Sequence, residues 1–120
     1  MYQPYRTVIP YVTKDGSQIR ELMHPSLHGN KTQSLAEATI AIGGKTIRHK
    51  HVLSEELYHI TQGHGLMMLN EDKFEVFSGD TICIPPGTEH CIENLAAGPL
   101  VILCCCSPAY AHEDTILTGA

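Results

Sequence analysis

The chain has 120 residues and a net charge of −5 with histidine neutral, and hydrophobic residues make up 42% of it. This length fits a single domain with a core of its own, and the ordinary composition excludes a disordered or fibrous chain. The acidic balance argues against nucleic acid or an anionic membrane as the main partner, because both favour a basic face. The longest apolar stretch, 95–106, is too short to span a bilayer.

The N-terminal residues and the cysteines indicate where the protein resides. Residues 1–6 lack the apolar core of a secretory signal. Five cysteines, three of them consecutive at 104–106, suggest no disulfide framework, because adjacent cysteines seldom bridge each other. We therefore expect a reduced, cytoplasmic protein. The eight histidines stand out, since histidine is the commonest metal ligand.

Turn-forming residues recur roughly every eight to twelve positions, which is typical of an all-β sandwich or barrel. No stretch has a sustained helical period, and 33–38 fits the start of a strand better than a helical turn. The first thirty residues are the least patterned, and 19–23 suits an edge strand or a docking segment. The predicted strands are 35–42, 45–51, 56–61, 66–69, 74–77, 81–84, 90–94 and 100–106.

Two histidines stand two residues apart in Arg48-His49-Lys50-His51. Side chains on a strand alternate between its two faces, so both imidazoles point one way while Arg48 and Lys50 point the other. Because a barrel encloses one face of each strand, the pattern predicts two enclosed imidazoles and two solvated basic side chains.

A carboxylate and a third imidazole lie further along the chain. Glu55-Glu56-Leu57-Tyr58 follows after a short turn, and if Glu56 opens the next strand facing inward, Tyr58 faces inward with it. A proline-stiffened turn at 85–89 delivers His90 to the start of another strand. Three neutral imidazoles and one carboxylate suit a divalent transition metal such as iron, manganese, nickel, copper or zinc, and leave positions open.

The spacing of these residues resembles the two motifs of the cupin family. From Gly43 to Gly63 the chain reads G-x5-H-x-H-x4-E-x6-G, and from Gly79 to Asn94 it reads G-x5-P-x-G-x2-H-x3-N. The fifteen residues between Gly63 and Gly79 fit the short spacing common in microbial cupins. The resemblance covers residues 35–106.

This resemblance implies an all-β fold: a single-domain antiparallel β-barrel of the jelly-roll cupin type. Residues 35–106 would form the barrel, 1–34 an N-terminal segment that packs on it or extends it, and 107–120 a C-terminal tail. The ligands that it implies for one divalent metal ion near the barrel mouth are His49, His51, Glu56 and His90. Glu55 also lies within the permitted spacing, but only Glu56 gives the inward phase shared with Tyr58.

Further side chains could contribute to such a site. The Tyr58 phenol is a candidate proton-transfer group, although a barrel tyrosine is more often a packed wall residue. Cys104 and Cys106 share one strand face and could line the pocket, while Cys83 and Cys91 fit packing positions.

The remaining histidines are weaker candidates for the metal site. We expect His59 to be exposed and His64, between two glycines, to be solvated in a turn. His24, His28 and His112 lie in segments that could cross the barrel mouth.

The resemblance admits dioxygenases, isomerases, decarboxylases, lyases and non-enzymatic binders, because a fold does not imply a function. An open site of three histidines and one carboxylate suits a bidentate oxygen ligand and, with iron, activation of O2. The favoured hypothesis is therefore a dioxygenase-type oxidoreductase acting on a small organic substrate. The alternatives are a redox-neutral isomerase or lyase that uses Tyr58, and a sugar- or carboxylate-binding module. A phosphosugar is disfavoured, because Lys45 is the one basic residue in phase with His49.

The expected assembly is a homodimer with twofold symmetry. Small cupins typically pair through strand faces, and the apolar outer positions of the barrel would leave a patch to cover.

Overall fold

The computed structural model describes residues 1–119; Ala120, the last residue of the predicted tail, lies outside the described residues. Within this range eleven strands form two antiparallel sheets. The six-stranded sheet has the order β1-β2-β3-β10-β5-β8, and the five-stranded sheet has the order β11-β4-β9-β6-β7. The predicted all-β jelly-roll fold is confirmed, as a sandwich of two facing sheets rather than one fully closed barrel.

The strands are short and follow the turn spacing of the sequence. Their bounds are β1 Tyr11–Val12, β2 Gln18–Met23, β3 Ser34–Ile40, β4 His49–His51, β5 Glu55–Gln62, β6 His64–Leu69, β7 Asp72–Phe77, β8 Thr81–Ile84, β9 His90–Asn94, β10 Leu100–Ser107 and β11 Thr115–Leu117. One helix, α1, spans Pro25–His28, and short 3-10 turns cover Tyr5–Thr7 and His112–Asp114. No helix in residues 1–119 has the length and apolar character needed to cross a membrane.

Side chains on a strand point alternately to its two faces, so every second residue is enclosed between the sheets. On β5, Glu56, Tyr58 and Ile60 are buried while their neighbours are exposed. On β10 the even positions from Leu100 to Cys106 are buried in the same way. Buried, mostly aliphatic residues of both sheets form one core between them.

The two chain ends extend the sheets. Strand β2 pairs with β3, and the two-residue β1 lies outside it, so β1 rather than the predicted 19–23 segment forms the edge. At the other end, β11 pairs with β4 through Thr115 opposite His51. The C-terminal segment therefore reaches the strand that carries the paired histidines, whereas the N-terminal strands extend the opposite sheet.

Three local expectations are wrong. The 45–51 strand is regular only over His49–His51, with an isolated bridge from Lys45 to Glu93, so alternation does not extend back and Lys45 is exposed. His64 begins β6 and stacks on Phe77, because the glycines around it serve a strand rather than a turn. Cys83 is exposed on the outer face of β8 instead of packed.

Candidate metal centre

The histidine pair lies on β4 and the third histidine on the neighbouring strand. His49 and His51 are both buried on the inner face, with Lys50 between them half-buried on the other side. Strand β9 pairs with β4 through His49 opposite His90. The turn before His90 is tied to β4 by the Gly87 amide, which donates to the His51 carbonyl oxygen at 2.7 Å. Gly87 has a φ of 78°, a conformation that glycine adopts without strain.

Each of the three imidazoles makes a hydrogen bond through Nδ1. The Nδ1–H of His49 donates to the Ile47 carbonyl oxygen at 2.6 Å, and that of His90 to the Thr88 carbonyl oxygen at 2.9 Å. The Thr115 hydroxyl donates to the Ala111 carbonyl oxygen, so it accepts from Nδ1–H of His51 at 3.0 Å. A carbonyl oxygen can only accept, so these contacts place the ring proton on Nδ1 and leave Nε2 with a free lone pair.

The free nitrogens converge. One ring nitrogen from each of His49, His51 and His90 lies within 4.8 Å of the other two. Glu56 Oε1 lies 3.1 Å from Nε2 of His51 and 3.5 Å from Nε2 of His90. The Nε2 atom of His90 is buried and has no hydrogen-bond partner within the described residues.

This donor set fits a metal ion. Two imidazole lone pairs face a carboxylate oxygen, and such acceptors repel each other unless a cation or a proton lies between them. Burial, followed by the charge of His90, lowers the pKa of His49 and so favours the neutral ring that metals require. The histidine cluster could therefore hold a divalent transition metal.

Glu56 is enclosed, whereas Glu55 is exposed on the outer face of the same strand. Burial raises the pKa of Glu56, but hydrogen bonds and charge from His51 and His90, present when those rings also carry a proton on Nε2, outweigh burial and bring it to about 2. The carboxylate is consequently ionised at neutral pH. Its second oxygen, Oε2, accepts a hydrogen bond from the Cys106 thiol at 3.2 Å, which fixes the orientation of Oε1 toward the histidines.

The Tyr58 ring lies beside the histidines, 5.9 Å from His90 between ring centroids. Its side chain lines the same cavity as His49 and His51. Burial, with a further contribution from Glu56, raises the pKa of the phenol well above its usual value, so the hydroxyl stays protonated. The hydroxyl is therefore a hydrogen-bond donor here, and its raised pKa makes it a weaker acid than a free phenol.

Two cysteines line the same cavity. Cys104 and Cys106 are both buried, as their even positions on β10 suggested. Burial raises the pKa of both thiols, and the charge of Glu56 raises it further. They are therefore present as thiols, which are weak metal ligands.

Asp15 is a site residue that the sequence analysis did not predict. It lies in the connection between β1 and β2, is buried, and places Oδ2 3.7 Å from Nε2 of His49. No local pattern identifies it, because its contact with β4 is long-range.

The cavity has a volume of about 40 Å³, more than the roughly 10–15 Å³ that one water molecule requires. Aliphatic residues such as Ile40, Ile92 and Ile102 line one part of it. Polar residues, among them His49, His51 and Glu56, line the rest. The site is therefore a small pocket with a mixed polar and apolar lining.

The other histidines lie outside this cluster. The Nε2 of His24 bonds to the Tyr110 carbonyl oxygen at 2.7 Å, and the Tyr110 hydroxyl bonds to Nδ1 of His112 at 3.0 Å. Tyr110 itself lines the cavity, 5.8 Å from the His51 ring between centroids. His59 is exposed as expected. The C-terminal tail thus reaches the pocket through Tyr110, which is hydrogen-bonded to His24 and His112.

Comparison with known proteins identifies the family. The family model of the cupin domain matches residues 36–106. The chain belongs to the cupin family. An uncharacterized protein of Methanocaldococcus jannaschii is 58% identical over 111 residues, which is 92% of this chain and 89% of that protein.

Solved structures share the cupin fold. A predicted oxalate decarboxylase of Thermotoga maritima superposes with a TM-score of 0.79 at 22% identity, over 90% of this chain and 99% of that one. A polyketide cyclase of Streptomyces resistomycificus gives a TM-score of 0.78 at 19% identity, over 89% of this chain and 78% of that one. These similarities establish the fold of this cupin and leave its activity to be argued from the site.

Proposed function

We propose that this cupin is a metal-dependent enzyme that acts on a small organic ligand bound through oxygen atoms. The proposed metal ligands are His49, His51, Glu56 and His90. One observation carries the proposal: every imidazole is held through Nδ1, so that the Nε2 lone pairs of His51 and His90 face the buried Glu56 carboxylate, and that of His90 meets no hydrogen-bond partner in residues 1–119. Such an arrangement is stable when a cation occupies its centre.

A divalent transition metal bound there would act as a Lewis acid and, as iron, would support O2 chemistry. The histidines hold Glu56 ionised, and the Cys106 thiol donates to its second oxygen. The protonated Tyr58 and several aliphatic residues line the cavity beside the proposed metal position.

We take dioxygenase-type oxidation, in which both atoms of O2 enter the organic product, as the first candidate reaction. Three neutral imidazoles and one carboxylate leave coordination positions for a substrate and for O2. The neighbouring thiols of Cys104 and Cys106 are compatible with this chemistry, because burial keeps them protonated and therefore slow to oxidise.

Redox-neutral elimination or isomerisation is the second candidate, and the position of Tyr58 supports it. The phenol is buried in the cavity wall next to His90 and can transfer a proton to a ligand there. Tyr58→Phe keeps the ring and removes only the hydroxyl. If Tyr58 is catalytic, this variant retains metal and ligand affinity while kcat falls by roughly a hundredfold or more. An unchanged kcat would assign Tyr58 to packing.

Elemental analysis of protein purified without chelator or metal-binding tag tests the metal site. We expect a near-stoichiometric divalent metal in the wild type and its loss in His49→Ala. Iron together with substrate-dependent oxygen uptake would support oxidation. Manganese, nickel or zinc without oxygen uptake would shift the proposal to redox-neutral chemistry. Absence of metal from the wild type, and no uptake on titration with these ions, would refute the metal-dependent function.

We also propose that two copies associate through the outer face of the six-stranded sheet. Leu35, Cys105, Leu57 and Cys83 are paired in register across four strands on that face. Leu35, Leu57 and Cys83 are exposed. Light scattering at micromolar concentration should give twice the protomer mass, and Leu57→Lys should reduce it. A wild-type mass of one protomer would contradict the dimer.

A further inference from the structure

Asp15 presents a carboxylate oxygen to the proposed metal position. Its Oδ1 is held by Ser17, which donates through its backbone amide at 2.9 Å and its hydroxyl at 2.6 Å. The Asp15 carbonyl oxygen accepts from the Ile47 amide at 2.8 Å and so ties this turn to the chain that enters β4. Oδ2 is left 3.7 Å from Nε2 of His49, and the residue is only 9% exposed. The carboxylate is thus rigidly aimed, with one oxygen available.

The two acidic groups approach the histidines from different sides. Glu56 pairs within 4.0 Å with His51 and His90, whereas Asp15 pairs within that distance with His49. A ligand bound to a metal between the histidines would therefore meet Asp15 on the side that Glu56 does not occupy. A carboxylate oxygen in that place is a hydrogen-bond acceptor for the ligand.

A second acceptor lies farther along the pocket wall. Glu21 lines the cavity, and its Oε1 is buried without a hydrogen-bond partner in the described residues. In register across the six-stranded sheet, the positions between Glu21 and Tyr58 are Ala36 and Cys104. These small side chains leave the wall open between the proposed metal site and Glu21.

No lysine or arginine among residues 1–119 lines this cavity. Lys45, the one basic residue expected to face inward, is exposed. A second carboxylate or a phosphate on the ligand would thus meet Asp15 and Glu21 without a lysine or arginine to compensate its charge. Like charges in a poorly solvated pocket repel strongly, whereas hydroxyl and ammonium groups would satisfy the free oxygens.

We propose that the ligand of this site carries a hydroxyl or amino group next to its metal-binding oxygens, and that Asp15 Oδ2 accepts a hydrogen bond from that group. Asp15 and Glu21 together then discriminate against ligands with a second carboxylate or a phosphate. The inference rests on the proposed metal-dependent function and names the class of compound that the site accepts.

Four small 2-hydroxycarboxylates test this inference, because they share one metal-binding end and differ at the adjacent carbon. Lactate has a methyl group there, glycerate a hydroxyl, isoserine an ammonium and malate a methylene that bears a second carboxylate. Binding to the manganese-loaded full-length chain is measured by calorimetry. We expect glycerate and isoserine to bind at least about tenfold more tightly than lactate, and malate to bind most weakly.

Asp15→Asn is the decisive variant. It should retain stoichiometric manganese, lose at least about tenfold in isoserine affinity and leave lactate affinity within about threefold of wild type. Glu75→Gln, which removes an exposed carboxylate of β7, is the matched control and should change none of these values. Glu21→Gln provides an independent test, should Asp15→Asn fail to fold, and should increase malate affinity about threefold or more.

The outcomes separate this inference from the function on which it rests. Malate binding as tightly as isoserine, isoserine no better than lactate, or binding of none of the four compounds would overturn the inference while the metal site stands. Loss of manganese from folded Asp15→Asn would make Asp15 a metal ligand and would overturn it as well. A wild-type chain that binds no metal would instead refute the proposed function.

Discussion

Replacing Glu56 by glutamine tests whether its carboxylate is a metal ligand. The amide has the shape of the carboxylate but no charge, and its NH2 can donate to the lone pair of His51 or His90. We therefore expect the metal-free variant to fold, with a Tm within a few degrees of the wild type. The metal-loaded protein should differ, because Glu56 Oε1 lies 3.1 and 3.5 Å from two of the converging nitrogens.

The magnitude follows from mass action. Metal at about one hundred times the wild-type Kd stabilises the folded chain by about 2.7 kcal/mol. Groups that merely orient a ligand contribute about 10- to 100-fold to metal affinity, so loss of a charged ligand should weaken binding by about 100-fold or more. At the same metal concentration the variant then gains only about 0.4 kcal/mol. For a chain of 120 residues this corresponds to a metal-induced Tm rise of about 10 °C in the wild type and about 2 °C in the variant.

Thermal unfolding with and without metal, monitored by circular dichroism, gives both shifts. Glu55→Gln is the matched control, because Glu55 precedes Glu56 on β5 and is exposed. It should keep the full metal-induced shift. A full shift in Glu56→Gln would show that the carboxylate is not a ligand, and equal losses in the two variants would refute the register that we assign to the strand.

Further variants test how the ligands are oriented, and acidification tests their charge. Thr115→Val removes the hydroxyl that accepts from Nδ1 of His51 and should weaken metal affinity by about 10- to 100-fold, whereas Thr115→Ser should not; equal affinities would exclude the positioning role. Cys106→Ala removes the thiol donor to Glu56 and should lower metal affinity by about tenfold, with recovery in Cys106→Ser, as competition with a fluorescent chelator would show. The metal-free protein should lose stability as pH falls. The pKa of His49 is lowered on folding, so its contribution is lost below about pH 6.5. The pKa of Glu56 falls from 4.5 to about 2 on folding, so its contribution is lost as the pH falls between these values. Urea midpoints that do not decrease on acidification would contradict both expectations.

The central part of the site was predictable because its residues obey local rules. Alternation on β4 places His49 and His51 on one face, and the same rule on β5 distinguishes Glu56 from Glu55. The glycine and proline turn before His90 sets where β9 begins. Each of these inferences uses only the sequence within a few residues of the proposed metal-binding side chain. It also assumes that one face of the sheet is enclosed.

The alternation of side chains fails as a guide before His49, where strand β4 begins. Lys45 was placed in phase with His49, but residues before His49 leave the regular strand, and Thr46 is buried in its place. The Thr46 hydroxyl accepts from the Ile92 amide of β9 at 3.0 Å. This hydrogen bond holds Thr46 inward, and the local sequence pattern does not reveal it. Asp15 was not predicted for a related reason. Its turn is brought beside β4 by tertiary contacts, which the local sequence does not show.

The groups that complete the site come from outside the segment that matches the cupin family. Residues 36–106 supply the four proposed ligands and Cys106. Asp15 reaches His49 from the N-terminal hairpin, and Thr115 reaches His51 from β11 at the other end of the chain. Tyr110 adds a wall to the same cavity. Since the barrel motifs are shared by cupins of many activities, we expect the choice of ligand in this chain to depend on these end segments, and Asp15→Asn should alter specificity while the metal remains bound.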